Sequence, residues 1–140
     1  TEERNMAEFT LHPRLEDSSV FVCDLDLCQV RLNFDGDLDW LLLIPRRAGL
    51  EELIDLDDKD QAQLVKEVNF VSRVLKDEVR PDKINVASLG NQVPQLHIHV
   101  IARYKNDRAW PGATFGHPPI NEFDEQRAEF WKQKLGLGLN

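Results

Sequence analysis

The chain has 140 residues and a formal net charge of −8, from 17 Lys and Arg against 25 Asp and Glu. That length suits one domain, over 1–140, with a core that needs neither disulfide nor metal, and the 41% hydrophobic and 30% charged content excludes a disordered chain. No apolar run reaches the roughly 20 residues of a membrane helix, no apolar leader opens the sequence, and the acidic balance speaks against a nucleic-acid polymer as partner. A cytoplasmic location is expected.

Residues 1–19 are polar around Phe9 and Leu11 and read as a helix or extended arm that docks on the rest. Two strands follow, over 20–24 and 27–32, containing Cys23 and Cys28. The cysteines have neither metal-site nor redox spacing, so buried free thiols are expected. Asn33-Phe34-Asp35-Gly36-Asp37 reads as a hairpin turn whose Asp-Gly pair tolerates positive φ. Residues 40–45 are almost wholly apolar and end in Pro45, as a central strand would.

A short helical turn over 50–55 precedes Asp57, an N-cap candidate with Asp60 three residues on. Leu64, Val68, Val71, Leu75 and Val79 then repeat at helical spacing, which predicts a helix over 58–79 with one buried stripe, stopped by Pro81. Strands are predicted over 84–88 and 95–104, separated by a turn at Gly90-Asn91. A loop rich in Gly and Pro covers 105–120, and a last helix covers 123–135. This order predicts an α+β fold: a mostly antiparallel sheet of about five strands, one long helix packed on it, and a C-terminal helix.

The stretch Gln95-Leu96-His97-Ile98-His99-Val100-Ile101 carries the chemistry. Side chains alternate along a strand, so Leu96, Ile98 and Val100 go to the core. Gln95, His97 and His99 then share the other, open face, with Arg103 and Lys105 extending it as local positive charge for an anion. Three readings remain. The histidines are ordinary solvent-face residues. They are two ligands of a metal enzyme, although a catalytic zinc usually has three protein ligands and nothing fixes His12 or His117, the other two histidines, nearby. Or they perform nucleophilic catalysis at phosphorus, since an imidazole with an unperturbed pKa of about 6.5 is a competent nucleophile and a second one can donate a proton.

The same stretch resembles the signature of the histidine triad superfamily, in which three histidines alternate with apolar residues. The resemblance covers about 15–108. It includes the strand ending Ile44-Pro45, then Arg46-Arg47, the long helix, Asn85, and the turn Gly90-Asn91-Gln92-Val93-Pro94. The tail, with Asp107-Arg108-Ala109-Trp110-Pro111, resembles a bacterial branch described as diadenosine-tetraphosphate-hydrolase-like.

The resemblance implies a nucleotide hydrolase or nucleotidyl transferase acting at the α-phosphate of nucleoside polyphosphates or phosphoramidates. His97 is implied as the nucleophile that becomes nucleotidylated. His99 is implied at the phosphoryl and leaving group, with Gln92 beside the leaving group. Asn85 and Asn91 are implied around the phosphates, Asn33 or an acid after it at the ribose, and Leu25 and Leu27 at the base. It implies no resident metal or cofactor, a substrate arriving as a magnesium complex, and a homodimer. The departure is Gln95, which stands where the pattern has its first histidine; it keeps hydrogen bonding but cannot titrate. A nucleotide-binding protein with weak or no turnover is therefore the alternative function.

Overall fold

The computed structural model describes residues 8–136. After a short helix α1 (Pro13–Asp17) come strands β1 (Ser19–Asp24), β2 (Cys28–Asn33) and β3 (Trp40–Pro45). A 3₁₀ turn (Leu53–Asp55), helix α2 (Asp58–Val79), strands β4 (Lys83–Ser88) and β5 (Ile98–Arg103), and helix α3 (Gln126–Gly136) complete the order. The strands form one sheet in the order β1-β2-β3-β5-β4, antiparallel at every pairing. This is the α+β architecture the sequence predicts.

Helix α2 forms where the apolar stripe requires it. The Asp57 side chain accepts from the Asp60 N–H at 2.8 Å, satisfying one of the donors that every helix start leaves open. At the other end Arg80 turns into the left-handed region (φ 47°), and Pro81 follows. Leu64, Val71 and Leu75 are buried against Leu96, Ile98 and Val100, with Val30, Leu32, Leu41 and Leu43 from the neighbouring strands. Glu67 lies among them, fully buried, and accepts from the backbone N–H groups of Leu27 and Cys28, each at 2.8 Å. The helix is thereby tied to the start of β2 as well as packed on the sheet.

The second sheet face is also covered, contrary to the expectation of an open one. Leu15, Leu38, Trp40, Leu42, Ile44 and Ile101 form a smaller core there, with Phe9, Leu11 and Phe115 packed against it. The arm over 8–12 and the loop over 105–120 supply that cover. The expected cover from residues 1–7 lies outside the described residues.

Two element starts and one turn glycine differ from expectation for reasons the structure shows. Strand β5 begins at Ile98, not at residue 95. Pro94 has no N–H, and the Leu96 N–H is drawn off to the Leu50 carbonyl at 2.9 Å, so sheet pairing starts late. Helix α3 begins at Gln126 because the Asp124 side chain takes the Gln126 N–H at 2.9 Å and sets the start there. Gly36 is not in the positive-φ region. It is required instead because the backbone of Asn121 and Glu122 occupies the place of a Cβ. Cys23 and Cys28 are free thiols, the latter buried.

Candidate active site

His97 immediately precedes β5 and His99 is its second residue, with ring centroids 5.0 Å apart and planes at 72°. Both are buried, at 6% and 8% exposure, because the second face is covered. Each ring has one nitrogen fixed by a neighbour with a single hydrogen-bonding role. Nδ1 of His97 is 2.7 Å from the Gln95 carbonyl oxygen, which can only accept. That nitrogen carries a proton, so in the neutral ring the lone pair sits on Nε2. Nδ1 of His99 accepts from the indole Nε1–H of Trp40 at 2.9 Å, and an indole can only donate. The proton of His99 is therefore on Nε2. The pair presents one nucleophilic nitrogen and one N–H donor. Burial, with the nearby His97 adding to it, pushes the His99 imidazole down to about 4, so it stays neutral near pH 7.

The two rings form the floor of a cavity of about 640 Å³. Asn33, Phe34 and Asp35 from the β2–β3 connection form one wall, and the turn over 89–93 forms another. That turn needs Gly90, whose φ is +83°. The loop segment over 114–119 closes a third side. Phe115 of that segment packs edge-on against both Trp40 and His99, with centroids 5.3 and 4.9 Å away.

Arg108 anchors the loop. Its guanidinium pairs with Asp35 and with Asp37 and donates to the His117 carbonyl at 2.9 Å. The cavity therefore contains an arginine whose charge is already matched. Asp107 fixes the loop's start by pairing with buried Arg103 at 2.8 Å and accepting from the backbone N–H groups of Tyr104, Ala109 and Trp110.

Of the residues singled out in the sequence, the cavity brings together His97, His99, Asn33, Asn91 and Gln92. It does not include the others. The Gln95 side chain turns away to the arm, where Oε1 accepts from the His12 N–H and Nε2 donates to the Thr10 carbonyl, both at 2.8 Å. The alternation expected of a strand fails at residue 95, because the backbone there is not yet in β5. Asn85 accepts from Arg103 through its amide oxygen at 2.8 Å. Arg103 is 2% exposed and fully paired, so the expectation that it offers positive charge to an anion is corrected. Lys105 lies exposed beyond the end of β5. Leu25 and Leu27 belong to the core beneath α2, not to a base pocket. Among the described residues no group of three or more His, Cys, Asp or Glu side chains is placed to hold a metal ion.

Asp35, the first acid after Asn33, also lines the cavity, whereas sequence reasoning missed Trp40, Arg108, Thr114, Phe115 and His117 as site residues. Trp40 lies diagonally across the β3–β5 pairing from His99, a relation that becomes readable once the register is known. The others had one signal, the length of the loop over 105–120, since loops longer than about 12 residues are usually functional.

A small antiparallel sheet with two buried histidines of opposite tautomer at the floor of a cavity defines the class. The HIT domain matches residues 14–106, and the chain belongs to the HIT domain family. Solved histidine triad proteins are similar over nearly the whole length. The one from Bradyrhizobium japonicum has a TM-score of 0.88 at 41% identity, over 94% of this chain and 98% of that one. The one from Sinorhizobium meliloti has a TM-score of 0.87 at 40% identity, over 94% and 97%. Among curated proteins, bis(5'-adenosyl)-triphosphatase of Saccharomyces cerevisiae is 34% identical over 70 residues, which is 46% of this chain. The match spans about a third (34%) of that relative's length.

Proposed function

We propose that the protein is a nucleotide hydrolase or nucleotidyl transferase that works through a nucleotidyl intermediate on His97. The observation that carries this reading is the pair of fixed tautomers. An Nε2 lone pair on His97 and an Nε2–H on His99 face the same cavity, as attack at phosphorus and charge stabilisation require. His97 Nε2 attacks the α-phosphorus, and the bond to the leaving group breaks with its electron pair. His99 Nε2–H donates to a phosphoryl or leaving-group oxygen. Water then cleaves the P–N bond and restores His97, or a second acceptor takes the nucleotidyl group.

The Gln92 and Asn91 amides serve the leaving group and phosphates, and Asn33 serves the ribose. Gln95 and Asn85 take no direct part, because their side chains are engaged elsewhere. The name of the yeast relative supports a nucleoside polyphosphate substrate. We propose that no resident cofactor takes part, that the substrate arrives as a magnesium complex, and that the active form is a cytoplasmic homodimer.

Mass spectrometry of protein quenched during incubation with diadenosine triphosphate and with an adenosine phosphoramidate tests the mechanism. A nucleotidyl adduct on His97 is expected, absent from His97→Ala, whose turnover falls by several powers of ten. An adduct on another residue would sink the mechanism. Nucleotide binding with no adduct and no turnover would favour a binding protein.

A further inference from the structure

We propose that the Thr114 hydroxyl is a substrate-binding group of this cavity, hydrogen-bonded to a phosphoryl oxygen of the nucleotide. The inference rests on the functional reading above. Thr114 is 2% exposed and lines the cavity with His97 and His99. Its Oγ1 is the one buried side-chain nitrogen or oxygen without a hydrogen-bond partner among the described residues.

That exception is informative because the rest of the buried polar set is paired. Ser19 donates to the Leu15 carbonyl, Arg31 donates to the Ser19 hydroxyl and carbonyl, and Glu67 accepts from two backbone N–H groups. A buried hydroxyl without a partner opposes folding, and native proteins rarely retain one. The loop does not need it for its own geometry. The turn at Thr114 is closed by its carbonyl, which accepts from the His117 N–H at 3.1 Å. Valine has the same shape and would suit a purely structural position better. A hydroxyl there gains its partner only when something polar enters the cavity.

The phosphoryl end is favoured by two observations. Thr114 adjoins Phe115, whose ring lies 4.9 Å from His99, and all three residues line the same cavity as His97. Among the described residues Arg108 is the only Arg or Lys lining it, and its charge is matched by Asp35 and Asp37 while its Nε–H is taken by the His117 carbonyl. With that cation already neutralised by two carboxylates, an entering phosphoryl group relies chiefly on neutral donors. The Thr114 O–H is a neutral donor with no other partner.

Thr114→Val and Thr114→Ser test the assignment by calorimetric titration with AMP and GMP, each against its nucleoside, and by thermal melting without ligand. Thr114→Val should melt at or above the wild-type temperature and bind the monophosphate about ten- to a hundredfold more weakly, with nucleoside affinity unchanged. Thr114→Ser should stay within about threefold of wild type. A Thr114→Val protein that melts lower and keeps its monophosphate affinity overturns the proposal and makes the hydroxyl structural. Equal losses for monophosphate and nucleoside overturn it by moving the contact off the phosphate. Wild-type protein that binds neither monophosphate removes the nucleotide reading itself and this inference with it. Wild-type binding beside an unaffected Thr114→Val removes the Thr114 role alone.

Discussion

The His99 imidazole makes the pH dependence of folding a direct test of the site. In an unfolded chain it takes up a proton near its ordinary 6.5; in the fold, burial first and the neighbouring His97 second push it down to about 4. Between those values the unfolded state holds more protons than the native state, so stability rises with pH. The stabilisation is fully present above about 6.5 and is lost as pH falls through about 4. Moving from pH ~7.5 to ~4.5 costs the fold about 2.5 kcal/mol through this one group. Asp37, held at about 2 chiefly by the Ile120 backbone N–H, adds almost nothing over that window, because the ordinary carboxylate value of 3.8 lies below it. Urea unfolding at several pH values should therefore show a steep loss in wild type that is absent from His99→Gln. The comparison is one of slopes, so packing lost in the variant does not enter. Imidazole nitrogen NMR should also find the His99 proton on Nε2 down to about pH 5. Equal slopes in the two proteins, or a His99 ring that titrates near 6.5, would refute the buried, Trp40-bound geometry.

Two further substitutions separate the anchors of the site from its chemistry. Arg108→Ala strands the Asp35 carboxylate, which is paired with an arginine only 6% exposed. A loss of about 3–5 kcal/mol in urea unfolding is expected, together with a raised KM from a loosened loop wall; a loss under about 1 kcal/mol would show that the pair holds nothing in place. Gln95→Ala removes the two bonds to residues 10 and 12 but keeps the carbonyl that fixes His97. It should lower the unfolding free energy by about 1–2 kcal/mol and leave the His97 adduct rate within about threefold; a loss of many powers of ten would return the side chain to the chemistry.

Helix α2 was legible to the residue because three independent signals agreed. A capping aspartate at 57, a proline at 81 and a stripe at 3.6-residue spacing admit one solution. The core face of Leu96, Ile98 and Val100 was legible for a similar reason, since a one-residue slip would have exposed all three. The burial of the histidine face was misread as open, although a β3 apolar on both faces was the signal for cover on both. What could not be read was which distant segment covers it. The contacts of Phe115 with His99, and of Arg108 with Asp35, join residues 16 and 73 positions apart with no periodic pattern between them. Thr114 was hidden for a further reason: a missing partner becomes visible only when every neighbour has been located.

Residue 95 shows why a departure from the triad pattern there would weigh less at His97, the proposed nucleophile, than its place in the sequence suggests. A side chain and a backbone carbonyl at one position answer to different constraints. Here the side chain leaves the histidine face and binds the arm, while the carbonyl fixes the proton on Nδ1 of His97. The carbonyl is present whatever residue stands at 95, provided the backbone keeps its course. That course is set by Pro94, which cannot donate, and by the Leu96 N–H bonded to the Leu50 carbonyl. A histidine at 95 on the same backbone would give His97 the same acceptor, and the tautomer that leaves Nε2 free would be unchanged. The position then bears on the proposed chemistry through backbone geometry, and on stability through the side chain. Substitutions that redirect the chain at residues 94 and 96 should therefore disturb His97 more than any exchange of side chain at 95.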